Sequence, residues 1–269
     1  MRTICYNIYM CRGWPQEASS RESTSIVIPD LLAKSLENYK LDVITFSEVP
    51  TDSIMQAIAE HLGMQMIIFQ SPEKYHGALL TRFEVLESKN CSLQSGKRPE
   101  NLFTRHWGRA VLYTGKEELI VHSVHLFPDA QSSIHAKEVE EVIEVIQKDI
   151  KSGCSILLQG DLNHEPDDPA YERWIEAGLV DTFGAAGVGP GETYKADQPV
   201  QRIDYIFAYG PILQRILECR VLSDVPFKVD TSVSKHWCLS DHLPVMATFY
   251  EHGDIFHTTW SSIGGRGDI

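Results

Sequence analysis

Short apolar runs that alternate with polar residues recur from one end of this chain to the other, and they constrain its fold more than any other feature. Such runs occur at 2–9, 42–47, 64–70, 77–82, 84–91, 108–115, 118–124, 154–160, 203–209, 215–222 and 244–250. Their period is that of β-strands, in which successive side chains point to opposite faces. Thr114-Gly115-Lys116 lies between two of them as a hairpin turn. A helical period replaces this pattern in few places. Ile28, Leu31, Leu32 and Leu36 share a face over 27–39, and 52–62 reads as a second helix. The clearest helix is 132–150, with Val139, Val142, Ile143, Ile146 and Ile150 in one stripe and Glu138, Glu140, Glu141, Glu144 and Lys148 outside it. A shorter helix begins at Pro169 behind Asp168 and stops at Gly178. Many strands with few long helices predict two packed sheets with helices on their outer faces. Strand-end loops would then carry the chemistry.

The 269 residues are about what one hydrophobic core can organise. No linker, low-complexity run or repeat divides them, so 1–250 is expected to form one domain and 251–269 a tail. In that tail Phe256 and Trp260 are candidates for docking on the body, Gly264 to Asp268 reads as a frayed end, and Arg266-Gly267-Asp268 is a chance tripeptide. No apolar stretch approaches the roughly 18–20 residues that span a bilayer. The first residues already alternate like a strand, so no signal peptide is expected in them, and the six cysteines are scattered without a CxxC pair. A cytoplasmic monomer with reduced thiols is the expectation. A net charge of −13 with no basic stripe argues against a protein that grips extended duplex DNA.

Polar residues interrupt the apolar runs at consistent places. Asn7 sits in Cys5-Tyr6-Asn7-Ile8, Glu48 ends Thr45-Phe46-Ser47-Glu48-Val49, and His125 follows Ile120-Val121-His122-Ser123-Val124. Asp161 and Asn163 close Leu158-Gln159-Gly160-Asp161-Leu162-Asn163, Asp204 lies in Arg202-Ile203-Asp204-Tyr205-Ile206, and Asp241-His242 precedes Leu243-Pro244-Val245. One strand-end Asn or Asp is usually a turn former. A carboxylate inside an apolar strand, as at Asp204, needs a partner. Carboxylates and imidazoles gathered at so many strand ends point instead to a shared site.

These elements, in this order and at these separations, resemble the endonuclease/exonuclease/phosphatase superfamily, which includes DNase I, the exonuclease III-type apurinic endonucleases, deadenylases, neutral sphingomyelinases and inositol 5-phosphatases. The resemblance covers residues 4–250. It implies a four-layer α/β/β/α sandwich, an α/β (α+β) fold with the site at one end, and a divalent-metal-dependent phosphoesterase. Glu48, Asn7 and Asp241 would ligate Mg²⁺ or Mn²⁺, since hard cations prefer carboxylate and amide oxygens. Asp161 would orient or deprotonate the attacking water, and Asn163 would hold a phosphate oxygen. His242 and His125 would contact the phosphate and share proton transfer, and Asp204 would pair with one of the two imidazoles. Arg109 resembles a phosphate-contacting arginine of some members, a role that suits a guanidinium. Thr193 matches a position that supports the substrate side of the site. Tyr75-His76 falls near a common Tyr, Glu or His partner, with His76 the candidate substrate contact, and His164 is a weaker alternative. Ser47 replaces a usual Gln and Val124 a usual Thr, and neither change removes a ligand.

Three loops should ring the site: 10–25 with Trp14, 96–109 with Lys97, Arg98, Phe103, Arg105, His106 and Trp107, and 223–240 with Phe227 and Trp237. The middle loop alternates cations with aromatics, as a phosphate-bearing, stackable substrate would require. A small or single-stranded phosphodiester is the first expectation. A phosphomonoester or lipid phosphodiester on the same scaffold is the second. A catalytically silent binding module is disfavoured, because such a chain should lose ligands and this one keeps every one.

Overall fold

The computed structural model describes residues 1–15, 24–93, 102–229 and 237–251. In chain order the elements are β1 (Arg2–Asn7), α1 (Ile28–Glu37), β2 (Val43–Ser47), α2 (Asp52–Leu62), β3 (Gln65–Phe69), β4 (Gly77–Thr81), β5 (Glu84–Asn90), β6 (Trp107–Tyr113) and β7 (Glu118–His125). There follow α3 (Ser133–Ile150), β8 (Ser155–Asp161), α4 (Pro169–Glu176), β9 (Val180–Asp181), α5 (Thr182–Ala186), β10 (Asp204–Tyr209), β11 (Ile216–Val221), β12 (Lys228–Val229), β13 (Trp237–Cys238) and β14 (Val245–Phe249). Two six-stranded sheets have the orders β11-β14-β1-β2-β4-β3 and β5-β6-β7-β8-β10-β9.

Strand alternation builds the layers. On β1, Cys5 faces the core between the sheets, where it joins Val43, Leu79, Val121, Leu157 and Ala247. Its neighbours Ile4 and Tyr6 face the other way, onto Leu32 and Leu36 of α1 and Met55 and Ile58 of α2. On the second sheet Leu158, Tyr205 and Phe207 meet Val139, Val142 and Ile146 of α3 and Trp174 of α4. Each such side chain stabilises the fold by roughly 1.5–3 kcal/mol when fully buried. The result is the helix–sheet–sheet–helix sandwich, with Gln159 as a polar cross-tie. Its amide accepts from the Thr3 hydroxyl at 2.9 Å and donates to the Ile4 carbonyl and Thr45 Oγ1.

All the strands and the longer helices expected from the sequence form, within a residue or two at each end. The Thr114 hairpin turn closes with Gly115 at φ 87° and Thr114 N donating to Glu117 O. One assignment on α3 is corrected. Glu138 is fully buried, because its two carboxylate oxygens accept from the backbone N–H groups of Phe103 and Phe127. All six cysteines are free thiols, five of them buried. Among the described residues no helix is long and apolar enough to cross a membrane. The expected tail, Phe256 and Trp260 included, lies outside the described residues.

Candidate active site

Topology gathers the polar residues at one end of the sandwich. β1 and β2 run parallel, as do β7 and β8, so Asn7, Glu48, His125 and Asp161 all sit at carboxyl ends on the same side. β10 runs antiparallel to β8 and sets Asp204 opposite Asp161, while β14 runs antiparallel to β1 and brings in Asp241 and His242 from its leading end. Backbone conformation then aims the groups. Glu48 and Asn163 both have positive φ, 52° and 51°. For Glu48 this is a strained state of the kind found where function requires it. Gly160, before Asp161, is required by close approach: a Cβ there would lie 1.9 Å from the Val124 carbonyl oxygen.

The side chains form one connected cluster. The Asn7 amide donates to Asp161 Oδ2 at 3.0 Å and to Glu48 Oε1 at 3.4 Å, and Ser240 Oγ donates to the Asn7 carbonyl. His125 Nε2 is 3.5 Å and His242 Nε2 3.7 Å from the same Asp161 oxygen. The imidazole that pairs with Asp204 is His242: its Nδ1 lies 2.8 Å from Asp204 Oδ2, which also accepts from Thr193 Oγ1 at 2.6 Å. Asn163 is fixed by its own N–H on Asp161 Oδ1 and by its amide on the Leu126 carbonyl. A pocket of about 300 Å³ opens over this cluster, lined by Glu48, His125, Asp161, Asn163, Asp241 and His242 and walled by Tyr75, Arg105, Pro128, Tyr194, Gln201 and Ile203.

Electrostatics separate the roles of the two imidazoles. Burial alone would depress His242, but the charges of Asp204 and Asp161 outweigh it and hold its pKa well above the usual histidine range. His125 is held well below that range by burial and by the nearby His106, Arg105 and His242. One imidazole is therefore kept cationic and the other neutral. Asp161 is pushed up to about 7 by burial and the Asp204 charge, against the opposing pull of His242. Burial raises Glu48, with the Asp241 charge adding to it, and burial raises Asp241 too.

Glu48 and Asp241 thus form a hard-oxygen pair that strains toward neutralisation, and no Lys or Arg pairs with either among the described residues. This carboxylate pair fits a divalent cation, with Asn7 beside it, its Nδ2 on Glu48 and its Oδ1 accepting from the Tyr9 N–H. Asp161, Asp204 and His242 also offer ligand atoms within 4.8 Å of one another. There, however, the His242 Nδ1 is already engaged by Asp204, an arrangement suited to holding a proton.

Four expected contacts change. Arg109 does not reach the pocket. On β6 Ala110 and Leu112 face the core between the sheets, so Arg109 faces α3, where Asp149 takes Nε and Nη2 (2.7 Å) and Glu87 takes Nη1. Arg105 lines the pocket instead, stacked over the Tyr75 ring at 4.7 Å and the Phe127 ring at 5.5 Å, with no carboxylate partner among the described residues. His76 accepts from the Ser71 N–H through Nδ1, and it is Tyr75 that faces the pocket. Thr193 is fully buried, does not line the pocket, and spends its hydroxyl on Asp204. His164 is buried and accepts from the Trp174 indole, away from the pocket. Of the middle loop, Phe103, His106 and Trp107 are core residues, and Phe227 of the last loop packs on Tyr6. Lys97 and Arg98 lie outside the described residues. Tyr194, which packs against His242 at 4.9 Å, was not singled out from sequence because nothing in Thr193-Tyr194-Lys195 has a strand or helix period.

Solved structures share this architecture. A mannosyl-6-phosphatase from Bacteroides thetaiotaomicron VPI-5482 superposes with a TM-score of 0.72 at 18% identity, over 93% of this chain and 100% of that one. Beta toxin from Staphylococcus aureus gives 0.68 at 16% identity, over 93% and 100%. A truncated TDP2 from Caenorhabditis elegans gives 0.64 at 16% identity, over 93% and 97%. No curated protein sequence matches the chain. The sequence model of the Endonuclease/Exonuclease/phosphatase family matches residues 5–242, which span the first and last members of the cluster just described. With that match across nearly its whole length, the chain belongs to the endonuclease/exonuclease/phosphatase family, whose enzymes hydrolyse phosphoester bonds.

Proposed function

We propose that the protein is a Mg²⁺- or Mn²⁺-dependent phosphodiesterase acting on a small or single-stranded phosphodiester. The observation that carries this reading is the convergence of His125 Nε2 and His242 Nε2 within 4 Å of one Asp161 oxygen, in a pocket that also holds the Glu48 and Asp241 carboxylates. Glu48, Asp241 and Asn7 would hold the cation, whose chemistry is to polarise a phosphoryl oxygen and to stabilise charge on the leaving oxygen.

The protein's own groups supply the rest. Burial and the Asp204 charge raise the Asp161 carboxyl, which makes it a stronger base toward the attacking water. His242 presents Nε2–H to the phosphate, while Asp204, braced by Thr193, fixes its tautomer through Nδ1. His125, held neutral, can offer the phosphate a ring hydrogen bond. Asn163 has one amide N–H on Leu126 and a second free for a phosphate oxygen. Arg105 contributes a cation to the wall beside His125, with no carboxylate ion-pair partner among the described residues.

That guanidinium favours one second reading. A terminal phosphate carries an extra negative charge, so Arg105 would also suit a phosphomonoester. Hydrolysis of bis-p-nitrophenyl phosphate against p-nitrophenyl phosphate, each with Mg²⁺ and Mn²⁺, separates the two. Preference for the diester supports the proposal, preference for the monoester supports the second reading, and turnover of neither overturns both.

A further inference from the structure

A run of aromatics and cations adjoins Tyr194, which lines the pocket. It begins immediately after Asn7, where Tyr9, Met10 and Cys11 occupy the left-handed region in succession, at φ 46°, 51° and 54°. Side chains bearing a Cβ rarely adopt this conformation. Met10 N–H on the Glu48 carbonyl (2.7 Å) and Tyr9 N–H on Asn7 Oδ1 (3.1 Å) hold the turn to the proposed metal ligands. Tyr9 then meets Trp14 edge to face at 6.2 Å. Trp14 is fixed three times over: its backbone N–H and C=O pair with Cys238, and its indole N–H donates to Asp197 Oδ1 at 2.7 Å. Tyr194, against His242, continues the run into the pocket, and Ala196 N–H on the Asp241 carbonyl ties that segment to the site.

Two cations lie on these rings. Lys195 Nζ is 5.4 Å from the Trp14 centroid and 5.9 Å from that of Tyr194, and the Arg12 guanidinium is 5.4 Å from Tyr9. Neither pairs with a carboxylate among the described residues, in a chain of net charge −13 where acids are plentiful. Lys195 lies over the Trp14 and Tyr194 faces, so a planar anionic ligand would take the Trp14 face as the flexible ammonium moves from the ring to the ligand's phosphate. An acyl chain would instead require an apolar surface free of cations.

We propose that Trp14, Tyr194 and Lys195, backed by Tyr9 and Arg12, form a subsite for one ester arm of the substrate, a nucleotide whose base stacks on the rings and whose own further phosphate meets Lys195. The inference rests on the phosphodiesterase reading and narrows it to short or single-stranded nucleic acid. It requires a wild-type enzyme that turns over a dinucleotide with an additional terminal phosphate about tenfold more efficiently than one without it, through KM. An abasic analogue should lose a similar factor, since a stacked base is worth on the order of tenfold or more.

Trp14→Ala and Lys195→Gln should each lose roughly tenfold more kcat/KM on the phosphorylated dinucleotide than on bis-p-nitrophenyl phosphate, while Trp14→Phe and Lys195→Arg retain most of it. Equal losses on both substrates, or no loss, overturn the subsite while leaving the phosphodiesterase reading intact. Calorimetric titration of thymidine 3′,5′-bisphosphate reads the subsite without turnover, so it holds even if the catalytic reading fails. Affinity about tenfold weaker in folded Trp14→Ala supports the proposal, and equal affinity in both proteins refutes it.

Discussion

Replacing Asp204 with Asn keeps the size of the side chain and removes only its charge. In the wild type Asp204 Oδ2 lies 2.8 Å from His242 Nδ1, and burial alone would drive that imidazole toward its neutral form. Two unit charges about 4 Å apart interact by ~4 kcal/mol at an effective dielectric of about 20. Losing that attraction changes the protonation equilibrium of His242 by about 10³. Because the His242 pKa is raised, its cationic form persists through neutral pH and is lost only on the alkaline side. The variant should therefore keep His242 cationic only at acid pH. At pH 7 kcat should fall by ~10²–10³, and the alkaline limb of the pH–rate profile should move to lower pH. The assay is kcat for bis-p-nitrophenyl phosphate across pH, paired with NMR titration of the His242 ring. A wild-type alkaline limb with kcat within about threefold would refute the assignment of His242 as the cation of this site.

Other outcomes follow from the same geometry. Arg105→Ala should raise KM about tenfold or more with little change in kcat, whereas Arg109→Ala should leave both within twofold and destabilise the fold by roughly 3 kcal/mol, read from urea unfolding, because it strands Asp149 against His122. Burial pushes Asp149 up, but hydrogen bonds from His122 and Arg109 outweigh it and hold its pKa at about 2. Its depressed pKa contributes stability above the ordinary carboxylate range that is lost as pH falls from about 4 toward 2, by ~1–2 kcal/mol, and Asp149→Asn should flatten that part of the stability–pH curve. A footprint of one or two phosphates gives a shallow dependence on salt, since each neutralised duplex phosphate contributes about −0.9 to the log–log slope. Efficient, steeply salt-sensitive nicking of plasmid DNA would contradict the small-substrate reading.

Much of this was legible in the sequence because period-2 alternation fixes both the strands and the faces they bury, and because the polar residues that break it fall at strand ends on one side of the sandwich. β9, β12 and β13 were not, since two residues are too short to show a period. Arg109 misled for a different reason. Its parity with Ala110 and Leu112 decides its face, but only the structure shows which face lies over the site and which over Asp149. Glu138 looked solvated because a charge on a helix usually is. Its buried position depends on the backbone donors of Phe103 and Phe127, which no local pattern reveals. The pairing of Asp204 with His242 was likewise beyond the sequence, because either imidazole satisfies a strand-end carboxylate.

The central claim is that Glu48 belongs to a cation-holding centre that performs the chemistry. Titrating Mg²⁺ by calorimetry into the wild type and Glu48→Gln, with turnover of bis-p-nitrophenyl phosphate measured on the same samples, tests it most directly. The substitution keeps the shape of a side chain hydrogen-bonded to Asn7 and removes its charge. The account predicts a folded variant that binds Mg²⁺ at least about tenfold more weakly and loses at least ~10² in kcat. Unchanged Mg²⁺ affinity together with unchanged turnover would contradict it.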